Sequence, residues 1–496
     1  MTLSLDKLES HLWESANILR GSIDSSDYKN YIFGLLFLKR LNDVFLENRE
    51  KIKKVHGEKF IDDPDFYTDS YFYVPARARW ETIRSKTQDI GAHINKAFEV
   101  LEHQNQVLEG VLTTIDFNDK ERLPDNVLEE LVNHYSDFDL GNKDLDDPDI
   151  LGRAYEYLIR QFADDAGKKG GEFYTPRQVV KLLVEILNPQ PKMRVYDPCC
   201  GSGGMLIYSA VHIREKGHSM DEITLFGQEK NLNTWGICKM NILLHELFDA
   251  KIERGDTMRT PKFLIESGKL QQFDRVIANP MWNQSKWSKK YLEDAEPFGR
   301  FSYGFPPKNS ADWSWIQHML ASANKNGKVG VVLDNGVLFR SRSEGKIRKK
   351  ILKDDLIEAV IALPANLFYN TSSPGCILIL NKNKPVARNR KVIFIYAEKD
   401  YKEGSNQNFL RAEDIDKILQ AFTEFKDKER YCRIVDMEEI AHNDYNLNVP
   451  RYVDTTEPEK PIDVKAVLTD LNKLEKERKE LNTELDNYLQ ELGYKE

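Results

Sequence analysis

Between residues 28 and 45 (YKNYIFGLLFLKRLNDVF) apolar side chains cover more than half of the helical circumference, which predicts a helix buried within a bundle. Helical spacing returns at 90–112, 127–135 and 150–162, separated by acidic, turn-rich stretches at 62–69 and 137–149. After residue 165 the pattern changes. Short β-branched runs at 194–196, 223–226, 275–278, 329–333, 357–363, 376–380 and 392–396 alternate with helical stretches. Such alternation is the pattern of an α/β domain, a mostly parallel sheet covered by helices on both faces. A third pattern closes the chain. Val464, Val467, Leu471, Leu474, Leu481, Leu485, Tyr488 and Leu492 follow three-four spacing, broken at Arg478, with Lys and Glu between them. A single heptad helix cannot bury its own seam, so this one is expected to need a partner helix. The division expected is a helical domain over 1–165, an α/β domain over 166–455 and a docking helix over 456–496. No internal repeat or low-complexity tract interrupts it.

Composition narrows the class. The chain has 496 residues, 41% of them hydrophobic and 30% charged, which describes a globular protein. Its longest uncharged apolar run, residues 31–38, falls far short of the ~18 residues of a membrane span. Charges begin at Asp6 with no apolar signal core, and five cysteines without a CxxC pair suit a reducing compartment, so a cytoplasmic protein is expected. The net charge of -9 taken alone argues against a polyanionic partner. Its distribution says otherwise. Residues 457–496 hold eleven acids and seven bases, whereas residues 340–353 hold seven bases (Arg340, Arg342, Lys346, Arg348, Lys349, Lys350, Lys353) against Glu344 alone. Lys286, Lys289 and Lys290 form a second patch around Trp287. Both patches are either local phosphate-binding surface or solvated faces.

The densest chemical signal is VYDPCCGSGGM, residues 195–205. A strand ends in Asp197, a turn follows through Gly201, Ser202, Gly203 and Gly204, and an apolar helix begins. Glycines admit close approach of a ligand to the backbone, and a helix N-terminus offers free N–H donors. Alone, the turn is equally a tight strand-to-helix connection. The next strand ends in Glu229, where a ribose diol would be held. Asp256 follows, then Asn279-Pro280-Met281-Trp282 after a further strand. Each is individually a strand-end cap or a ligand contact; in order, at successive carboxyl ends, they describe one crevice.

Asn279, Pro280 and Trp282 make the chain resemble the S-adenosylmethionine-dependent amino-methyltransferases of DNA, whose catalytic motif is Asn-Pro-Pro-aromatic. An exocyclic adenine amine is a poor nucleophile because its lone pair is delocalised into the ring. The resemblance implies that the Asn279 oxygen and the Pro280 carbonyl accept its two N–H bonds and free that lone pair, while Trp282 stacks on a base flipped out of the duplex. Met281 departs from the second proline. Glu172, Phe173, Tyr174, Thr175, Pro176 and Arg177, just before the glycine turn, resemble the family's cofactor-closing segment. Further stretches (13–21, 28–29, 37–41, 334–340, 363–368 and 445–452) resemble methylase subunits of type I restriction-modification systems over nearly the whole chain.

That resemblance implies a Rossmann-like S-adenosylmethionine-dependent methyltransferase fold with an N-terminal helical domain. It implies adenine N6 methylation of double-stranded DNA, with Glu229 on the cofactor ribose, Asp197 and Gly201–Gly204 at its methionine end and Asp256 at its adenine. A separate specificity subunit would read the site, with a second methylase subunit present, and a nuclease/translocase subunit joining for restriction. The heptad helix would dock on the specificity subunit. Two alternatives remain: a protein or RNA amino-group methyltransferase, and a non-catalytic assembly partner with a relic cofactor fold. Pro198-Cys199 lies inside the glycine turn rather than at the catalytic strand end, so no thiol nucleophile is expected. No paired histidine spacing calls for a metal, and no GxSxG is present.

Overall fold

The computed structural model describes residues 3–23, 25–67, 72–145, 150–165, 175–368, 371–404, 407–456 and 464–494. One compact unit spans Met1–Val453, and Asp454–Glu496 forms a second. No helix among the described residues is long and apolar enough to cross a membrane.

The first unit begins with helices α1 (Leu5–Leu19), α2 (Ser25–His56), α3 (Trp80–Arg84), α4 (Ile90–Gln104), α5 (Asp125–Ser136) and α6 (Ile150–Asp165). As its pattern required, α2 buries Ile32, Phe33, Leu35, Leu36, Phe37 and Leu38 consecutively. The helix expected over 90–112 stops at Gln104, because Asn105 turns to φ -124° and ψ 94°. Its remaining apolar residues, Leu108, Val111 and Leu112, instead pack from a turn into the same core. Gly91 marks the tightest approach there: a Cβ at this position would lie 2.0 Å from the Phe117 carbonyl oxygen. Backbone cannot yield as a side chain would. Gly91→Ala is therefore expected to destabilise this region by about 1–3 kcal/mol, read as a lower denaturation midpoint at unchanged slope.

The α/β part carries α7 (Arg177–Leu187), β1 (Arg194–Asp197), α8 (Gly204–Glu215), β2 (Thr224–Glu229), α9 (Leu232–Leu244), β3 (Lys251–Arg254), β4 (Phe273–Ala278), α10 (Lys289–Ala295) and α11 (Asp312–Ser322). It continues through β5 (Ala323–Asp334), α12 (Arg342–Lys353), β6 (Ile357–Ala362), β7 (Gly375–Asn381), β8 (Lys391–Tyr396), α13 (Ala412–Glu424), β9 (Cys432–Asp436) and α14 (Met437–His442). One nine-stranded sheet results, in the order β3-β2-β1-β4-β5-β7-β6-β8-β9. The seven runs read from the sequence are all strands. β3 and β9 are additional, and β7 runs antiparallel to both β5 and β6. Strand side chains alternate between faces: Ile377 and Ile379 join α7, α8 and α13 in one core, while Cys376, Leu378 and Leu380 join α11 and α12 in the other.

Two features of this layout position the site. β1 pairs in parallel with both β2 and β4, so connections diverge to opposite sides there and open a crevice at the carboxyl ends. The helical region is seated on that crevice's flank through α9. Ile237, Met240, Leu243 and Leu244 belong to the helical core, and the Tyr155 hydroxyl donates to the Ile237 carbonyl at 3.0 Å.

In the second unit α15 (Val464–Glu491) is a single 28-residue helix. All eight of its seam residues are exposed.

Candidate active site

The glycine turn is built from β1 outward. Val195, Tyr196 and Asp197 are buried, and the chain then reverses through Gly201 (φ 53°) and Gly203 (φ 86°) into α8. Gly203 has no alternative: besides its positive φ, a Cβ would lie 2.9 Å from the Cys238 Sγ. A Cβ at Gly201 or Gly204 would meet nothing within 4 Å, so the outer side of the turn is open for a ligand.

Two carboxylates hold this turn. The Asp197 carboxylate accepts from the Cys199 N–H at 3.0 Å. Glu229, at the end of β2, accepts from the Gly201 N–H at 3.1 Å and from the Asn231 N–H at 2.8 Å. Burial raises the Asp197 carboxyl to about 8; the Cys199 N–H opposes that shift and the nearby Glu229 charge adds to it. Burial also pushes the Cys199 thiol well up, reinforced by Asp197 and Glu229, which removes the thiolate a nucleophile would need.

Asn279 follows β4 directly and faces the turn across the crevice. Its Nδ2 donates to the Thr175 hydroxyl at 2.9 Å, and its Oδ1 accepts from the Trp282 indole N–H at 2.9 Å. Pro280 is buried. Trp282 is half-buried, edge-on to Phe368 with centroids 4.8 Å apart. Met281 is exposed. The 279–283 loop is anchored by Asp312, fully buried, which accepts from the Asn283 N–H at 2.9 Å and pairs with Arg340 at 2.9 Å.

A cleft of about 490 Å³ joins these parts. Thr175, Arg177, Asp197, Gly201, Ser202, Gly204 and Asn279 line it. Six other expected residues do not. Gly203 faces Cys238, Pro280 and Trp282 continue the loop beyond Asn279, and Glu229 gives its carboxylate to the Gly201 and Asn231 N–H groups. Asp256 caps its own turn, accepting from the Met258 and Arg259 N–H groups, and pairs with Lys230 at 2.8 Å. Pro176 is buried where it starts α7. Glu172, Phe173 and Tyr174 lie outside the described residues.

The basic patches also change meaning. Trp287 is buried, its indole donating to the Pro307 carbonyl at 3.0 Å, so it is core and does not stack on a ligand. Arg340 is held by Asp312 and Asp334. Arg348 is buried and donates to the Val337, Arg340 and Tyr445 carbonyls. Of that segment's seven bases, Arg342, Lys346, Lys349, Lys350 and Lys353 are exposed. Cleft residues not assigned to the site from the sequence are Glu156, Val180, Cys199, Cys200, Met205 and Tyr208. Helical periodicity marks the apolar ones as core, and nothing in the α6 sequence sets Glu156 apart.

A glycine turn after β1, an acid after β2 and an Asn-Pro element after β4 around one crevice define an S-adenosylmethionine-dependent methyltransferase fold with amino-group chemistry. The family model described as N-6 DNA Methylase matches residues 146–461, and that of the HsdM N-terminal domain matches residues 8–135. The MjaVIII methylase subunit of a type I restriction enzyme from Methanocaldococcus jannaschii is 37% identical, the alignment covering 99% of this chain and 85% of that one. The HindI methylase subunit from Haemophilus influenzae is 32% identical over 85% of this chain and the whole of its own. A crystal structure of a type I restriction-modification methyltransferase subunit from Streptococcus thermophilus superposes with a TM-score of 0.80 at 31% identity, covering 91% of this chain and all of that one. The chain belongs to the methylase subunits of type I restriction-modification systems, the adenine-N6 DNA methyltransferases that act on DNA together with other subunits.

Proposed function

We propose that the cleft between β1 and β4 binds S-adenosylmethionine against the glycine turn and presents its methyl group to the N6 of an adenine flipped out of double-stranded DNA. The observation that carries this reading is the convergence of Thr175, Asp197, the 201–204 turn and Asn279 on one cleft.

The donor set fits the cofactor. A buried carboxyl at Asp197 matches a cationic amine at the methionine end, and the open faces of Gly201 and Gly204 admit it to the backbone. Met205 and Tyr208 supply an apolar wall. We assign Glu229 to the ribose diol as well as to fixing the turn, and residues 172–177, of which Thr175 onward are described, to the cofactor site. Asp256 reaches the adenine end once Lys230 yields, or orders that loop without touching the ligand.

When bound, the cofactor supplies an electrophilic methyl group on sulfur. The chain's residues do the rest. Asn279 Oδ1 has a second lone pair for one amine N–H, the Pro280 carbonyl accepts the other, and Trp282 stacks on the base. The Asn279 amide is not a base: it orients and polarises the amine, the C–S electron pair leaves on the thioether sulfur, and the cationic methylated amine then gives its proton to solvent water.

The Asp197 carboxyl gives a direct test. Its raised value means that the proton is held by the empty site at neutral pH and is released when a cationic ligand makes the carboxylate favourable. Affinity for S-adenosylmethionine should therefore rise with pH until about 8 and level off above it. Calorimetry at pH 7 in buffers of different ionisation enthalpy should show proton release on binding, abolished by Asp197→Asn. Binding without proton release, or with release unchanged in that variant, removes Asp197 from the cofactor site.

For partners, we infer a specificity subunit that reads the DNA target, a second methylase subunit, and a nuclease/translocase subunit in the restriction complex. The exposed seam of α15 supports its use as the docking helix, and the three-part division at 165/166 and 455/456 follows from these roles. Action on cellular DNA places the protein in the cytoplasm.

A further inference from the structure

Thr175 stands out because its hydroxyl meets the catalytic amide across the crevice. Asn279 donates to it at 2.9 Å from Nδ2 while accepting from Trp282 at 2.9 Å on Oδ1. The chemistry of the two partners fixes which end of the amide faces which. An indole N–H is a donor only, so Trp282 must meet the oxygen. The amide nitrogen is thereby turned to Thr175, whose hydroxyl oxygen accepts and whose own proton remains free to donate elsewhere. Without an acceptor at 175, the amide keeps only its bond to Trp282, and the side chain can swing away from the position in which its oxygen meets the target amine.

We propose that Thr175 is a positioning residue for methyl transfer, its hydroxyl holding Asn279 with the amide oxygen presented to the target amine. The inference rests on the role of Asn279 proposed above and deepens it: a residue facing the amide across the crevice sets its orientation. Thr175 precedes Pro176 and α7, whose Val179, Leu182 and Leu183 are fully buried. The hydroxyl thus lies two residues before the start of a helix anchored in the core.

The test compares Thr175→Val, which keeps the branched shape and removes the acceptor, with Thr175→Ser, which restores it. Both are assayed in the assembled methyltransferase at saturating DNA and cofactor. Thr175→Val is expected to lower kcat at saturating cofactor roughly tenfold, the effect of losing one orienting hydrogen bond. Thr175→Ser should return kcat to within about twofold. Should the valine variant fail to assemble, Thr175→Ala carries the same expectation. An unchanged kcat in the variant lacking the hydroxyl overturns the proposal. So does a loss confined to cofactor affinity, which would make Thr175 a cofactor contact. If Asn279→Ala itself transfers methyl normally in this assay, the reading of the catalytic loop fails as a whole; if only Thr175→Val is normal, the positioning role alone falls.

Discussion

Asn279→Ala is expected to bind S-adenosylmethionine with unchanged affinity and to lose methyl transfer by about 10²–10³-fold, the scale of removing one preorganised polar group from a reacting centre. The separation follows from geometry. The hydrogen bonds that hold the glycine turn, from Asp197, Glu229, Asn241 and Thr257, do not involve Asn279, which bonds only to Thr175 and Trp282 among the described contacts. Truncating it leaves the cofactor wall standing. Equilibrium dialysis of labelled cofactor, beside single-turnover transfer in the assembled complex, measures the two halves. Parallel loss of both would mean that Asn279 is part of the cofactor wall.

Glu229→Ala is expected to do the opposite, weakening cofactor binding about 100-fold while kcat at saturating cofactor stays within a few-fold of wild type. The carboxylate is bonded twice before any ligand arrives, to Gly201 at 3.1 Å and Asn231 at 2.8 Å. Charged hydrogen bonds of this kind contribute about 1.5–3 kcal/mol each. Removing them loosens the turn that receives the methionine end, in addition to any bond lost to the ribose. Measured Kd values by calorimetry decide it, and a change below about threefold would leave Glu229 as a strand-end cap alone.

Much of this architecture was legible in the chain, for identifiable reasons. Strands buried on both faces announce themselves as β-branched runs, and β6, β7 and β8 were placed to within a residue or two. β3 was invisible because only Ile252 of Lys251–Arg254 is buried. β9, paired to β8 alone, mixes buried with half-exposed positions. The direction of β7 leaves no trace in composition, since a strand between two neighbours is equally apolar either way.

At the site, residue types that the chemistry restricts were readable: glycines where φ is positive, an acid at a strand end, Asn-Pro after β4. Roles set by distant partners were not. Arg340 and Arg348 read as basic surface, yet their partners, Asp312 and the Tyr445 carbonyl, lie 28 and 97 residues away in sequence. Lysines around Trp287 read as a surface patch, but its indole is buried with Leu292, Phe301 and Trp315. Glu229 and Asp256 were correctly seen as strand-end acids; that both are already bonded within the protein emerged only from the fold.

The most direct test of the account identifies the methylated product. The assembled complex would be incubated with unmethylated DNA and cofactor labelled in its methyl group, and the digested nucleosides separated by mass spectrometry. The account predicts label in N6-methyl-2′-deoxyadenosine, lost with Asn279→Ala. Label in protein, RNA or another nucleoside, or undiminished label in that variant, would contradict it.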